Sequence, residues 1–155
     1  MNTSSRTDSD SMACLMIPIG ESNLLIPNVT VAEILPWRRI KRWEGCPEWC
    51  MGLLGWRGET VPVVRFERFN EANSGAGKGR CLLIMNRTQK GSDREFYGLA
   101  VDGLPRLVRL SNDDLENLPG SLKAADAAHL QVGLESAVVP RLSYIEEQLA
   151  SLPDY

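Results

Sequence analysis

Apolar residues in this chain occur in short runs separated by turn-forming residues, a spacing typical of β-strands rather than helices. Two such runs, Ala13 to Ile19 and Asn23 to Ile26, flank Gly20-Glu21-Ser22 and predict an opening hairpin. Cys81 to Asn86 and Glu95 to Val101 predict another hairpin around a polar loop. This pattern predicts an all-β barrel or sandwich with minor helices.

A further hairpin is predicted for the stretch from Gly52 to Phe66. Its two apolar runs flank Gly58-Glu59, and glycine at the first central position suits a type II′ turn. Counting back from that turn pairs Trp56 with Val61 and leaves Arg57 beside the turn. One face of the hairpin is then apolar and suited to a core: Leu54, Trp56, Val61 and Val63.

The opposite face of this hairpin carries Arg57, Gly55 and Pro62. Because proline cannot donate to a strand ladder, Pro62 predicts a sheet edge or a bulge. Taken by itself, Arg57 is most simply a solvated charge, since most surface arginines contribute little.

The C-terminal segment LQVGLESAVVPRLSYIEEQLA predicts strand, turn, strand and then a helix. Ser143 and Glu146 have the spacing of a capping box, and Ile145 with Leu149 would form an apolar stripe. The part VVPRLSYIEE faintly repeats VPVVRFERFN after the earlier hairpin. Such a repeat favours two related small barrels in one chain.

The chain has 155 residues, of which 43% are hydrophobic, enough for one ordinary domain. Residues 1–12 are rich in Ser, Asp and Thr and predict a disordered tail, so the domain is expected to span residues 13–155 as two barrel halves. Neither a membrane-spanning run nor a signal peptide is recognisable, which predicts a cytoplasmic protein without direct membrane insertion.

Charge and cysteine content leave two function classes open, a protein that binds single-stranded nucleic acid and a thiol-dependent enzyme. Lys plus Arg total 17 against 20 Asp plus Glu, so the chain as a whole has no basic field for nucleic acid. The basic segment from Trp37 to Trp43 could nevertheless stack on a single strand. A thiol-dependent enzyme using Cys46 or Cys50 is the other alternative, although His129 is the only histidine. Neither a metal site nor a cofactor is expected, because the cysteine spacing does not match a zinc site.

The stretch from Gly52 to Phe66 resembles the pattern G-x-x-N-L-R-G-x-x-x-P-V-x-D-L of the CheW-like domain. This family occurs in bacterial chemosensory adaptor proteins and at the C-terminus of CheA-type histidine kinases. Val31-Ala32-Glu33-Ile34 is similar to the family's V-x-E-I segment, and Tyr97 to Leu110 resembles its V-G-L-x-V-D-x-V segment. The matching positions of the first stretch are Gly52, Arg57, Gly58, Pro62 and Val63, with Phe66 at the final leucine.

The resemblance implies two packed five-stranded SH3-like β-barrels, without catalysis. It implies a scaffold or adaptor that couples a chemoreceptor to a CheA-type histidine kinase, in the cytoplasm at membrane-associated receptor arrays. One partner would be the helical cytoplasmic tip of a methyl-accepting chemoreceptor, bound in the groove between the barrels, and the other the regulatory domain of the kinase. The residues at the matching motif positions would bind the receptor: Val31, Glu33, Gly52, Arg57 and Gly98.

Three departures from the family pattern also carry a prediction. Arg65 stands where the family has Asp, Gly55-Trp56 replaces Asn-Leu, and Arg141 stands near a second usual acid. These are expected to be rim positions, so the barrel should survive the exchanges, and the changes of charge alter which partner is favoured. They predict a divergent paralogue with its own receptor and kinase, for which the chemosensory branch controlling type IV pili and twitching motility is one candidate. A partner outside the standard array is the other.

Overall fold

The computed structural model describes residues 11–71, 79–88 and 95–153. The predicted tail lies outside these ranges except for its last two residues, and Met12 already begins the first strand. The described elements are β1 (Met12–Ile19), β2 (Ser22–Pro27), β3 (Val31–Pro36), β4 (Cys50–Trp56), β5 (Glu59–Val64), α1 (Glu67–Asn70), β6 (Cys81–Asn86), β7 (Phe96–Val101), β8 (Arg106–Leu110), β9 (Leu115–Asn117), β10 (Asp126–Val132), β11 (Glu135–Pro140) and α2 (Leu142–Ala150).

The described strands form two mixed sheets. Sheet A has the order β8-β1-β2-β11-β10-β9, and sheet B has the order β3-β6-β7-β5-β4. Sheet B uses the middle of the chain, whereas sheet A combines the β1–β2 hairpin with strands β8 to β11. The predicted all-β class with minor helices is confirmed, and sheet A has the three-residue β9 as a sixth strand.

The two sheets share an inter-sheet core, and each also has an apolar cluster of its own. In β1, Leu15 and Ile17 belong to the inter-sheet core, while Met16 belongs to the cluster of sheet A. Likewise Leu83 of β6 joins the inter-sheet core, and Leu82 joins the cluster of sheet B. These strands are apolar at consecutive positions because both of their faces are buried.

The faint sequence repeat has a counterpart in the topology. Strand β5 pairs antiparallel with β4 and parallel with β7, and helix α1 follows it. Strand β11 pairs antiparallel with β10 and parallel with β2, and helix α2 follows it. The two segments therefore occupy equivalent places in the two sheets.

The β4–β5 hairpin forms with a different register from the one predicted. Trp56 pairs with Glu59, so Arg57-Gly58 is the turn, and the predicted pairing of Trp56 with Val61 is wrong. Arg57 and Gly58 have φ values of 46° and 77°, the positive pair that defines a type I′ turn. A shift by two residues preserves which face each side chain occupies, so the predicted apolar face is buried as expected.

Pro62 lies on an interior strand, since β4 is the edge and β5 lies between β4 and β7. Pairing with β7 involves Val63 and Val64, so it begins after the proline. The ladder with β4 is irregular between Cys50 and Gly52, close to the position where a bulge was predicted.

Helix α2 begins after Arg141, so the predicted capping box at Ser143 is wrong. The fully buried Glu146 accepts hydrogen bonds from the Thr88 backbone N–H at 2.9 Å and from its hydroxyl. The Glu146 carboxylate therefore binds Thr88, which follows β6, instead of capping the N-terminus of α2. The predicted stripe of Ile145 and Leu149 is buried in the inter-sheet core. Within the described ranges no helix has the length and apolar character needed to cross a membrane.

Candidate functional site

Two of the five predicted site residues, Glu33 and Arg57, form an ion pair. Arg57 Nη2 lies 3.1 Å from Glu33 Oε1, and the Trp56 indole N–H donates to the same oxygen at 2.9 Å. The Arg57 guanidinium also lies over the Trp56 ring, 4.9 Å from its centroid. Because β3 and β4 are opposite edges of sheet B, this cluster joins the two edges.

Arg57 remains accessible although it is paired. Its side chain is 69% exposed, against 34% for Glu33. Its backbone is left-handed, a conformation that costs a residue with a Cβ roughly 1 kcal/mol, so the contacts with Glu33 and Trp56 hold it there. Strained residues held by their surroundings occur often at binding sites.

The other three predicted residues lie apart from this pair. Val31 is half-buried at the start of β3 and packs against the inter-sheet core. Gly98 is buried, and a Cβ there would lie 2.9 Å from a Val63 methyl group. Gly98 therefore allows close packing of β7 against β5.

Gly52 is also buried, with φ of 138°. A Cβ there would lie 2.5 Å from the carbonyl oxygen of Lys41, which accepts a hydrogen bond from the Leu53 N–H at 2.8 Å. Gly52 therefore allows close approach by the chain's own β3–β4 connection.

An apolar groove of about 460 Å³ lies on the other side of β3 from Glu33. Ile34, which alternates with Glu33 along the strand, is 43% exposed there. Leu104, which follows β7 on the way to sheet A, is 78% exposed. The groove is lined by residues of sheet B and of the connection from β7 to sheet A: Ile34, Leu35, Pro36, Arg80, Cys81 and Leu104. Sequence reasoning missed it, although an apolar residue alternating with Glu33 and another after the Asp102-Gly103 turn were available signals.

A family model for the CheW-like domain matches residues 13–139. The chain belongs to the CheW-like domain family. Among solved structures it is similar to the scaffolding protein TtCheW from Thermoanaerobacter tengcongensis, with a TM-score of 0.68 and 17% sequence identity. The match covers 84% of this chain and 88% of that one, which supports a shared fold. No curated protein matches the sequence.

In this CheW-like domain, Arg65 is buried and does not occupy the predicted rim position. Its side chain is 1% exposed and lies 2.6 Å from Asp102 Oδ1 through Nη2 and 3.3 Å from Glu67 Oε2 through Nε. The prediction is wrong because the distant Asp102 and the neighbouring Glu67 supply carboxylates that pair with the guanidinium inside the protein. Arg141, by contrast, is exposed as predicted.

The basic segment of this CheW-like domain does not form a continuous stacking platform. Trp43 packs against the inter-sheet core, and Trp37 lies against Gly79. The Arg42 guanidinium donates to the carbonyl of Cys50 at 3.2 Å and to that of Cys46 at 3.4 Å. Arg42 thus stabilises its own loop, and both tryptophans pack against other parts of the protein, which weakens the nucleic-acid interpretation.

The cysteines are also poorly placed for thiol chemistry. Burial, the largest cause, raises the pKa of Cys50 to about 12, so its thiol stays protonated at neutral pH. Cys46 is half-buried and its thiol donates to the Cys50 carbonyl at 3.2 Å. His129, the only histidine, pairs with Asp126 at 2.8 Å. In the part of the chain that the structure describes, no group of three potential ligands comes together to hold a metal ion.

Proposed function

We propose that this CheW-like domain is a non-catalytic adaptor that couples a chemoreceptor to a CheA-type histidine kinase. The main support is that two family motifs, distant in sequence, bring Glu33 and Arg57 together at one face of β3, while an apolar groove runs along the other face of the same strand. An exposed guanidinium and an apolar groove that share one strand suit a protein partner, whose contact area can cover both, better than a small substrate.

The receptor partner is proposed to be the helical cytoplasmic tip of a methyl-accepting chemoreceptor. An amphipathic helix can place an apolar side chain in a groove of this kind. Ile34 and Leu104 supply exposed apolar contacts, and Arg57 can donate its planar fork to a carboxylate or to backbone carbonyls of the helix. Val31, Gly52 and Gly98 would then support the site from within the fold.

The kinase partner is proposed to be the regulatory domain of a CheA-type kinase, docked on another face of the chain. An adaptor that binds both partners would work in the cytoplasm, at membrane-associated receptor arrays. Its role would be to hold receptor and kinase together, with no reaction of its own.

A specialised receptor is also proposed, and Trp56 carries that proposal. The family has leucine at this position, whereas the Trp56 indole donates to Glu33 and its ring lies under Arg57. The departure therefore lies inside the cluster and changes which groups a receptor meets. Control of type IV pili and twitching motility is one setting for such a receptor.

The first experiment is co-purification with the tagged protein from its native cell. We expect both a chemoreceptor and a CheA-type kinase to be recovered. Recovery of neither, with the protein folded and soluble, would contradict the adaptor function.

The second experiment reverses the charge of Arg57. Arg57→Glu places a second carboxylate beside Glu33, so we expect affinity for a receptor-tip fragment to fall about 100-fold in a calorimetric titration. Arg109→Glu makes the same change at an exposed position on β8 and serves as the matched control. Equal affinities for the two variants would remove Arg57 from the binding site.

A further inference from the structure

Arg65 is a buried cation at the junction of the two sheets. It follows β5, and its guanidinium lies between Asp102, which follows β7, and Glu67 at the start of α1. A charge this deeply buried is tolerated only when it is paired, and loss of one partner leaves an uncompensated charge. The position of Arg65 therefore constrains both carboxylates.

Asp102 in turn holds parts of both sheets. Its carboxylate accepts hydrogen bonds from the N–H of Gly20, in the β1–β2 turn of sheet A, and from the N–H of Gly79 at 3.0 Å, just before β6 of sheet B. Its own N–H donates to Pro18 O at 2.9 Å. Burial would raise the pKa of Asp102, but these hydrogen bonds and the one from Arg65 outweigh it and lower the pKa.

The walls of the groove are attached to this junction. Arg80 follows Gly79 and donates its N–H to Val101 O at 2.8 Å, and the Cys81 thiol donates to Gly103 O at 3.2 Å. Leu104, another lining residue of the groove, lies two residues after Asp102. A shift of Asp102 would therefore move lining residues from both of these segments.

We propose that Arg65 is a positioning residue for the groove: it orients Asp102, and Asp102 holds the segments that carry the lining residues Arg80, Cys81 and Leu104. The consequence for receptor binding rests on the proposed function, whereas the effect on the junction does not. Arg65 then acts on partner choice from inside the fold, by shaping the groove, although it is not at the rim.

The test compares two variants of the junction with one control. Arg65→Lys keeps the charge but cannot supply the planar fork, and Asp102→Asn keeps the shape but weakens the pairing with Arg65. Glu146→Gln weakens a different buried link, between α2 and Thr88, and is the control for general loss of stability. Urea unfolding measures the free energy of unfolding of all three variants, so that effects on the groove can be compared at known stability.

Two readouts separate positioning from stability alone. We expect amide exchange at Gly20 and Gly79, and the dissociation constant for a receptor-tip coiled-coil peptide, to increase about tenfold in both junction variants. In Glu146→Gln, the peptide affinity should stay within about twofold of wild type, because this link lies away from the groove walls.

The proposal would be overturned if amide exchange at Gly20 and Gly79 were unchanged in Arg65→Lys. It would also be overturned if the junction variants lost no more peptide affinity than Glu146→Gln at equal stability. If the wild-type protein does not bind the peptide at all, the proposed receptor function fails. The exchange measurement then still decides whether Arg65 positions Asp102.

Discussion

At the scale of single residues, the same family motif contains residues of two different kinds. Arg57 is exposed and held in a left-handed backbone by its neighbours, so it is suited to meet a partner. Gly52 is buried against the chain's own Lys41, so it is required by the fold. A motif match alone does not distinguish these roles, because both residues satisfy the same sequence pattern.

Replacement of Gly52 by alanine is expected to destabilise the protein. The new Cβ would clash with the Lys41 carbonyl in a conformation that favours glycine, so we predict a loss of about 3 kcal/mol in the free energy of unfolding in urea. Gly55→Ala is the control, since a Cβ at Gly55 meets nothing within 4 Å, and it should change stability by about 0.5 kcal/mol or less. Equal effects of the two substitutions would contradict the structural role of Gly52.

Asp102 should make the free energy of unfolding depend on pH in the acid range. Its pKa is lowered in the folded protein relative to about 3.9 in the unfolded chain, so its stabilisation is present above that pH and lost as pH falls through the folded pKa. Burial, the largest cause, raises the pKa of Glu67, which contributes with the opposite sign.

Urea unfolding of wild type and Asp102→Asn across pH tests this dependence. We expect the stability gap between the two proteins to narrow between about pH 5 and pH 2. A gap that stays constant over this range would refute a lowered pKa for Asp102.

At the scale of elements, burial depends on the neighbouring elements. This holds for strands β1 and β6 and for helix α2. The strands bury consecutive residues because one face lies in a sheet's own cluster and the other in the inter-sheet core. Helix α2 buries Ile145 and Leu149 together with the carboxylate of Glu146. The stability of α2 thus depends on Thr88, which lies between β6 and β7 of sheet B.

Loss of the Glu146 carboxylate should loosen α2 from the rest of the molecule. Glu146→Ala leaves the two Thr88 donors without their acceptor and opens a buried space, so we expect the free energy of unfolding to fall by about 3 kcal/mol. Glu147→Ala, the neighbouring exposed position, should change it by about 0.5 kcal/mol or less. Thermal and urea denaturation measure both variants, and similar losses would argue against the buried link.

At the scale of the whole molecule, sheet A is assembled from two distant parts of the chain. The β1–β2 hairpin lies between β8 and β11, and its residues contribute to the inter-sheet core and to the cluster of sheet A. Sheet B therefore packs against a surface that neither part of the chain forms alone. The groove is linked to this assembly, because Asp102, which accepts the Gly20 N–H of the hairpin turn, lies two residues before the lining residue Leu104.

Separation of the hairpin from the remaining chain tests this assembly. We expect a fragment of residues 28–153 to be largely unfolded by near-ultraviolet circular dichroism, because sheet A would lose two central strands. Addition of a peptide of residues 11–27 should restore the native spectrum. A fragment that folds cooperatively without the peptide would show that the hairpin is dispensable.

The sequence by itself determined the strand positions, the hairpins and the apolar face of β4 and β5, because alternation and turn residues act over a few neighbouring positions. It also selected Glu33 and Arg57 as candidate site residues through their motifs, whereas their mutual contact required the fold.

Only the tertiary structure decided the environment of Arg65, whose partner Asp102 lies 37 residues further along the chain. The same holds for Gly52 against Lys41, and for Glu146, which a local pattern assigned to a helix cap. In each case the deciding contact comes from another element. The burial of a charge or the crowding of a glycine depends on what that element supplies, and no local spacing records it.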